Sequence, residues 1–556
     1  MTGHSKQWIN KNTGSAIEVA ETLFGISYSP EERSLMVEIV EHQLKLSLHR
    51  RSLDLKNNDS PALLFYPHLP GYAPRKWDGI RFSPSTDLPV PSDATDIAFA
   101  PIHHQAKWLR SRQLSSRNLT EVYLDRIYEY AESLECMVTV TADLALQQAD
   151  IADDLFKEGT VWSPLQGIPY VIKDLLDVIG VPTTWGAEFH LDYVPTQDAK
   201  VYELLQNSGA VLLGKASLGA LAMGDIWHGG QTRNPWNLKE GSTGSSAGSA
   251  AAVGAGLCAF GIGSETLGSI QIPSQRCGTV GLRPTFGRVS RRGAMALCWS
   301  LDKIGPICRS SLDTGLVLES INRHDPADLN SVDYSFIAPG IDESVFSIGY
   351  MQQDFESSKS SSAETIALEN LRSLGHELVP VRLPVLPWDA MMCCMYAEAA
   401  SAFENITLND TDDLLKRQDQ WAWPNIFRCA RFISAIDYVQ GDRIRRKAMD
   451  EMRRIFAQVD IIVAPILTGP MLMLTNFTGH PSICLRSGFM QSGTRGLGTI
   501  LGGRFEPPVV DSSDVYRVPQ GISFIGRLFE EERLIVLADQ LEQKLGIAAE
   551  RPSEFS

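Results

Sequence analysis

No stretch of this 556-residue sequence reaches the roughly 18 consecutive apolar residues that a membrane-spanning helix needs. Its first residues, Met1 to Gln7, lack the basic-then-apolar layout of a secretory leader. The eleven histidines form no His-Glu-x-x-His or other close ligand set, so no metal site is expected. The nine cysteines are odd in number, irregularly spaced and without a Cys-x-x-Cys pair, which argues against a disulfide framework and a zinc ribbon alike. Basic charge is scarce too. Fifty Lys and Arg against 66 Asp and Glu leave a net charge of −16, with no electrostatic footprint for nucleic acid or an anionic membrane. These absences point to a soluble, cytoplasmic protein without metal or cofactor.

What is present is an ordinary globular composition, 44% hydrophobic and 21% charged, with helix and strand signals in alternation. Residues 1–95 read as an appendage. Within them Ser29-Pro30-Glu31-Glu32 predicts a helix start with a capping box, followed by an apolar stripe (Leu35, Met36, Ile39, Val40, Leu44, Leu46, Leu48) broad enough to dock on a neighbour. The proline-rich stretch 52–100 reads as a strap on the main body. From 96 to 550 the texture is that of one large domain. Helices are predicted at 115–135, 142–157, 199–208 and 529–545, and buried strands at 138–141, 167–172, 210–213 and 459–465. Such alternation predicts α/β layers, with active groups at strand ends and loops. Residues 312–455 read as a more helical, more variable, pocket-forming region. Its aromatic run Trp421-Ala422-Trp423-Pro424-Asn425-Ile426-Phe427 is a candidate pocket wall.

The unusual segment is Gly241-Ser242-Thr243-Gly244-Ser245-Ser246-Ala247-Gly248-Ser249, followed by Gly263-Ser264-Glu265-Thr266-Leu267-Gly268-Ser269-Ile270. A phosphate-binding loop would end in Gly-Lys-Ser/Thr, which is missing, and Gly254-Ala255-Gly256 follows an Ala-rich helix rather than the strand a dinucleotide fingerprint needs. Gly244-Ser245-Ser246-Ala247-Gly248 matches the nucleophile elbow of serine hydrolases. However, residues 234–240 do not read as the required strand, and His324, His376 and His480 lack supporting context. A lysine can replace histidine as base when burial penalises its ammonium form. Lys173, at the end of the apolar run Ile168 to Ile172, is the candidate, and an ordinary strand-capping lysine paired with Asp174 is the competing reading.

Together these blocks resemble the amidase signature family. Its Gly-Ile-Pro-x-x-x-Lys-Asp motif is matched by Gly167 to Asp174, its Gly/Ser stretch by Thr243 to Val253, and its Asp-Thr-Gly-Gly-Ser-Ile-Arg block by Glu265 to Gln271. Flanking pieces such as Thr232-Arg233-Asn234-Pro235-Trp236 and Leu301-Asp302-Lys303-Ile304-Gly305-Pro306 match as well, over about residues 101–545. The resemblance implies an α/β/α layered fold with a mixed central β-sheet surrounded by helices. It also implies a catalytic set of Lys173, Ser245 and Ser269, in which a cis peptide precedes Ser245, and the 24-residue spacing of the serines selects Ser245 over Ser246. Backbone N–H groups of Thr266, Leu267 and Gly268 are the implied oxyanion hole, and Ser246 and Gln271 are candidate substrate contacts. Three departures stand out. Leu267 replaces a glycine and is expected to crowd the acyl site. Gln271 replaces an arginine that would anchor a carboxylate, and Glu265 replaces an aspartate that supports the loop.

The implied activity is hydrolysis of a carboxylic amide through a Ser269 acyl-enzyme. The alternatives are an ester- or carbamate-cleaving or acyl-transferring enzyme with the same triad, and a glutaminase-type subunit of a tRNA amidotransferase. The N-terminal extension and Gln271 argue against the last. Expected partners are a small-molecule amide, apolar or aryl, and a second copy of the chain as a homodimer.

Overall fold

A computed structural model describes residues 13–50, 56–57, 59, 61, 64–83, 88–356, 362–496, 500–501, 504–505 and 509–556. The rest of the predicted strap lies outside them. The helices form where capping and periodicity agree. Ser115 caps Ser116–Leu134 by accepting the Asn118 N–H at 3.0 Å, and the helix buries Leu119, Tyr123 and Ile127 on one face. Ala142–Lys157 buries Ala145, Ala149, Ala152 and Phe156, a stripe of helical period.

Eleven strands make one mixed sheet: β1 (Met137–Val140), β2 (Pro169–Lys173), β3 (Val211–Ala216), β4 (Phe260–Glu265), β5 (Val280–Arg283), β6 (Lys303–Cys308), β7 (Ser347–Tyr350), β8 (Glu377–Pro380), β9 (Ile461–Pro465), β10 (Ser482–Arg495) and β11 (Val509–Gly526). Their spatial order is β1-β3-β2-β4-β6-β5-β10-β11-β9-β7-β8. β2 is parallel to both its neighbours, β3 and β4. The run from β4 to β9 is antiparallel, and β9, β7 and β8 are parallel again. A strand flanked by two parallel neighbours and covered on both faces must be apolar throughout, and all five residues of β2 are buried. The helix Ala247–Gly254 lies fully buried against β2, β3, β4 and β6. Except for Val253 it contains only Ala, Gly and Ser, so its backbone can approach the sheet closely. Near the end of the chain, Glu531–Leu545 packs on Ser311–Ile321 and β10. The fold is therefore the α/β arrangement of a mixed sheet flanked by helices.

Two parts differ from their sequence readings. The capping box at Ser29 forms, with Ser29 N–H donating to Glu32 at 2.7 Å and Glu32 N–H to Ser29 Oγ at 3.2 Å. Yet the apolar stripe of Pro30–Arg50 does not dock as expected. The helix pairs with Thr13–Phe24 in a hairpin, leaving Leu35 at 78% and Ile39 at 61% exposed. Its apolar residues are spread around the helix, so one neighbour cannot cover them all. The second difference is that 312–455 is less separate than its helical texture suggests. Its four-residue segments Ser347–Tyr350 and Glu377–Pro380 are β7 and β8 of the central sheet, too short to carry a clear alternation. Residues 64–83 lie against the body: Arg75 pairs with Glu530 at 2.6 Å and Asp460 at 2.7 Å, and Tyr72 donates to the Leu528 carbonyl at 2.6 Å. No helix among the described residues is long and apolar enough to cross a membrane.

Candidate active site

Lys173 ends β2 in the interior of the sheet and is fully buried. Three hydroxyl oxygens surround its Nζ: Ser245 Oγ at 2.8 Å, Ser264 Oγ at 3.0 Å and Ser246 Oγ at 3.1 Å. Among the described residues it makes no ion pair. Burial lowers its pKa to about 7, and the more distant carboxylates of Asp302 and Glu265 pull it back upward. The competing reading, in which Asp174 pairs with Lys173, is not what the chain adopts. Asp174 binds Lys215 at 3.0 Å and accepts the Thr184 N–H at 2.9 Å. Alternation along β2 and beyond sends consecutive side chains to opposite faces, so Lys173 and Asp174 diverge.

The loop carrying Ser245 is bound tightly on both sides. Asp225 accepts the Thr243 N–H at 2.8 Å, and the Gly244–Ser245 peptide is cis. A Cβ at Gly244 would come within 1.9 Å of the Gly224 carbonyl oxygen, so no other residue fits there. Ser246 N–H donates to the Ser269 carbonyl at 3.1 Å and brings the two serine loops side by side. The side chain of Ser246, a candidate substrate contact, is fully buried against β4, where its Oγ accepts the Ser264 N–H at 3.1 Å. Ser269 is half-buried.

The turn 266–269 connects β4 to the helix Gln271–Cys277. Gly268 takes φ 85°, which favours glycine. Leu267, Gly268 and Ser269 point N–H groups that find no acceptor among the described residues. Glu265 braces this turn from beneath. One carboxylate oxygen accepts the Ile270 and Gln271 N–H groups at 2.8 and 3.1 Å. The other takes Arg283 at 2.8 Å and Asn476 at 2.9 Å. These contacts hold its pKa below the usual carboxylate value despite burial. Asp302 braces the side, accepting the Thr266 hydroxyl at 2.5 Å and the Leu297 and Cys298 N–H groups at 2.8 and 2.9 Å.

Two expected wall residues are turned elsewhere. Leu267 is not among the residues that line the cavity beside Lys173. Its side chain joins a buried apolar cluster with Leu301, Met391 and Met473. Gln271 is 1% exposed, and its amide oxygen accepts the Ser523 hydroxyl at 2.9 Å in a separate void of about 10 Å³. The cavity beside Lys173 holds about 740 Å³ and is lined by Ser264, Thr266, Lys303, Trp185, Tyr193 and Trp299 among others. From 312–455 it takes only residues 327–330; the Trp421–Phe427 run does not reach it. Trp423 and Phe427 stack on each other as core. A larger cavity of about 1070 Å³, between Phe65 and Tyr66 and the helices around Glu398 and Arg445, meets the first at Trp299.

A short strand, Asn237–Gly241, does precede the serine loop, contrary to the sequence reading, although it pairs with Arg233–Asn234 rather than the main sheet. The partners of Ser245 and Ser246 are nonetheless Lys173 and β4, not a histidine. His480 sits buried on Phe456 with its pKa lowered to about 3 by burial, bound to Thr478 at 2.8 Å. Sequence reasoning assigned no role to Ser264, Asp302 or Lys303, although Asp302 and Lys303 lie inside a matched motif block and Ser264 directly precedes another. No group of three or more His, Cys, Asp or Glu suited to a metal occurs among the described residues.

The family description Amidase matches residues 118–535. The chain belongs to the amidase family. As an amidase it acts on amide C–N bonds, and its likeness to characterised relatives is broad. A glutamyl-tRNA(Gln) amidotransferase subunit from Desulforapulum autotrophicum is 32% identical over 475 residues, covering 78% of this chain and 95% of that one. The same-named subunit of Caldanaerobacter subterraneus is 36% identical over 321 residues, which span 56% of this chain and 65% of that protein's length. The native peptide amidase of Stenotrophomonas maltophilia shares the fold with a TM-score of 0.69 at 26% identity, covering 83% of this chain and 100% of that one.

Proposed function

We propose that this amidase hydrolyses small carboxylic amides through an acyl-enzyme on Ser269, with Lys173 as base and Ser245 as relay. The observation that carries this reading is Lys173 itself: a buried lysine with no counter-ion among the described residues and three hydroxyls on its nitrogen, the Ser245 oxygen nearest. A lysine whose pKa burial lowers to about 7 is neutral in a large share of molecules near pH 7 and can accept a proton. Ser269 Oγ attacks the amide carbonyl as its proton passes to Ser245, whose own proton goes to Lys173. The developing oxyanion meets the unpaired N–H groups of Leu267, Gly268 and Ser269, together with that of Thr266. The proton returns to the leaving amine, the C–N bond breaks, and water releases the carboxylate by the reverse relay.

The similarity to glutamyl-tRNA(Gln) amidotransferase subunits favours a second reading, a subunit that frees ammonia within a tRNA amidotransferase. One experiment addresses both. Purified protein is assayed alone on a panel of amides, esters and carbamates, with fluorophosphonate labelling, beside its Ser269→Ala variant. Amide turnover and labelling that vanish in the variant support the hydrolase. Glutamine turnover that requires a co-purified partner supports the subunit reading instead.

A further inference from the structure

Four buried cations in this protein are met by carboxylates: Lys215 by Asp174 at 3.0 Å, Arg276 by Glu240 at 3.1 Å, Arg283 by Glu265 and Arg288 by Glu531, both at 2.8 Å, while Arg126 is met by the carbonyls of Ala255, Gly256 and Phe555. Lys173 has its three hydroxyls. Lys303 has neither. It opens β6, opposite Glu265 in the register, is 2% exposed, and lines the 740 Å³ cavity beside Ser264, Thr266 and Asp302. Its amine donates to one acceptor, the Leu301 carbonyl, and makes no ion pair among the described residues. A lysine amine carries up to three donors, and buried donors are normally satisfied. The charged groups around it are already committed. Glu265 holds Arg283 and Asn476, and Asp302 holds Thr266 and two backbone N–H groups. Cys298 is kept a neutral thiol by burial, and the two other cations that line the cavity are paired, Arg291 with Asp328 and Arg292 with Glu203 and Asp325. The position that carries an arginine in the family motif, Gln271, faces Ser523 outside this cavity.

We propose that Lys303 is the anion anchor of the cavity that adjoins Lys173 through Ser264, so that the preferred substrates are amides whose acyl part ends in a carboxylate. The proposal rests on the amide-hydrolase reading and adds the substrate class. Burial and the Arg283 charge keep the empty lysine largely neutral above pH 7, while Glu265 and Asp302 favour its charged form. An entering carboxylate supplies the missing counter-charge, and the amine takes up one proton from solvent as it binds.

The test compares malonamate, succinamate and glutaramate with propionamide, butyramide and valeramide on the full-length enzyme and on Lys303→Met and Lys303→Arg. At least one acid amide should exceed its neutral counterpart by tenfold or more in kcat/KM, and that preference should weaken above about pH 8. Lys303→Met should lower the ratio about 10- to 100-fold, chiefly through KM, and Lys303→Arg should keep part of it. Equal use of acid and neutral amides by the wild type, or an unchanged ratio in Lys303→Met, overturns the anchor while leaving the hydrolase standing. Calorimetry of succinate and glutarate on Ser269→Ala, in two buffers of different ionisation enthalpy, tests the anchor without turnover. Binding with proton uptake supports it and no binding refutes it, even if no amide in the panel is cleaved.

Discussion

Two regions of the sheet, side by side, are each built on a buried lysine, and they treat it in opposite ways. On β3, Lys215 is held by the Asp174 carboxylate at 3.0 Å and the Thr183 hydroxyl at 2.6 Å, a pair sealed from solvent on both sides. On β2, Lys173 faces three hydroxyls and the Ser264 carbonyl, with no carboxylate in contact among the described residues. The register pairs Ile172 with Lys215 and Lys173 with Ala216, so the two lysines leave the sheet on opposite faces. A carboxylate keeps a lysine as a structural cation whose loss would strand a buried anion. Three hydroxyls satisfy the same amine without supplying charge, which lets burial turn it into a base. The face of the sheet, one residue apart in register, separates scaffold from chemistry.

The contrast is most exposed to replacement of each lysine by methionine. Lys215→Met should leave Asp174 buried and unpaired, at a cost of about 3–5 kcal/mol, enough to unfold a marginally stable protein. Lys173→Met should fold normally and lose about 10²- to 10⁴-fold in amide turnover, the usual range for a removed general base. Circular dichroism melting and turnover measured on both variants check this; equal stability of the two would erase the distinction. Activity against pH gives a finer view. Lys173 works when neutral, so kcat/KM should climb through about pH 7 and level off above it. Ser264→Ala, which removes one of the three hydroxyls on Nζ, should displace that midpoint and lower the plateau about 3- to 10-fold, on the scale of one hydrogen bond to the amine. Ser264→Thr, which restores a hydroxyl, should recover most of the loss.

A further effect is on stability. Lys173 has a folded pKa of about 7 against about 10.4 for a lysine in water, so between these values the unfolded chain holds more protons. Its contribution to stability therefore rises as pH increases from about 7 to about 10, and is lowest below pH 7, where a buried charge must be kept. Lys173→Met should remove that increment, so that the difference in melting temperature between variant and wild type shrinks from pH 6.5 to pH 9.5. A constant difference across this range would mean that the lysine is already charged in the folded protein.

The amino-acid sequence alone carried the parts of this protein that depend on neighbours along the chain. The capping box at Ser29, the stripe that buries Ala145 to Phe156, the apolar run that makes β2 a central strand and the motif blocks around Lys173, Ser245 and Ser269 are all local patterns, and helices and strands follow such periods wherever they occur. Tertiary structure decided what each side chain meets. Asp174 stands next to Lys173 in sequence, yet strand alternation and the β2–β3 register give it to Lys215. Leu267 and Gln271 lie in the motif that forms the turn, but the helix after that turn and the packing of β11 send one into an apolar cluster and the other to Ser523. Trp185 and Trp299, rather than the conspicuous Trp421–Phe427 run, wall the cavity, and Lys303 stands there without an ion pair among the described residues because Glu265, opposite it in the register, is taken by Arg283 and Asn476. A cavity wall is assembled from strands and loops remote in sequence, so no spacing along the chain encodes which side chains will share it.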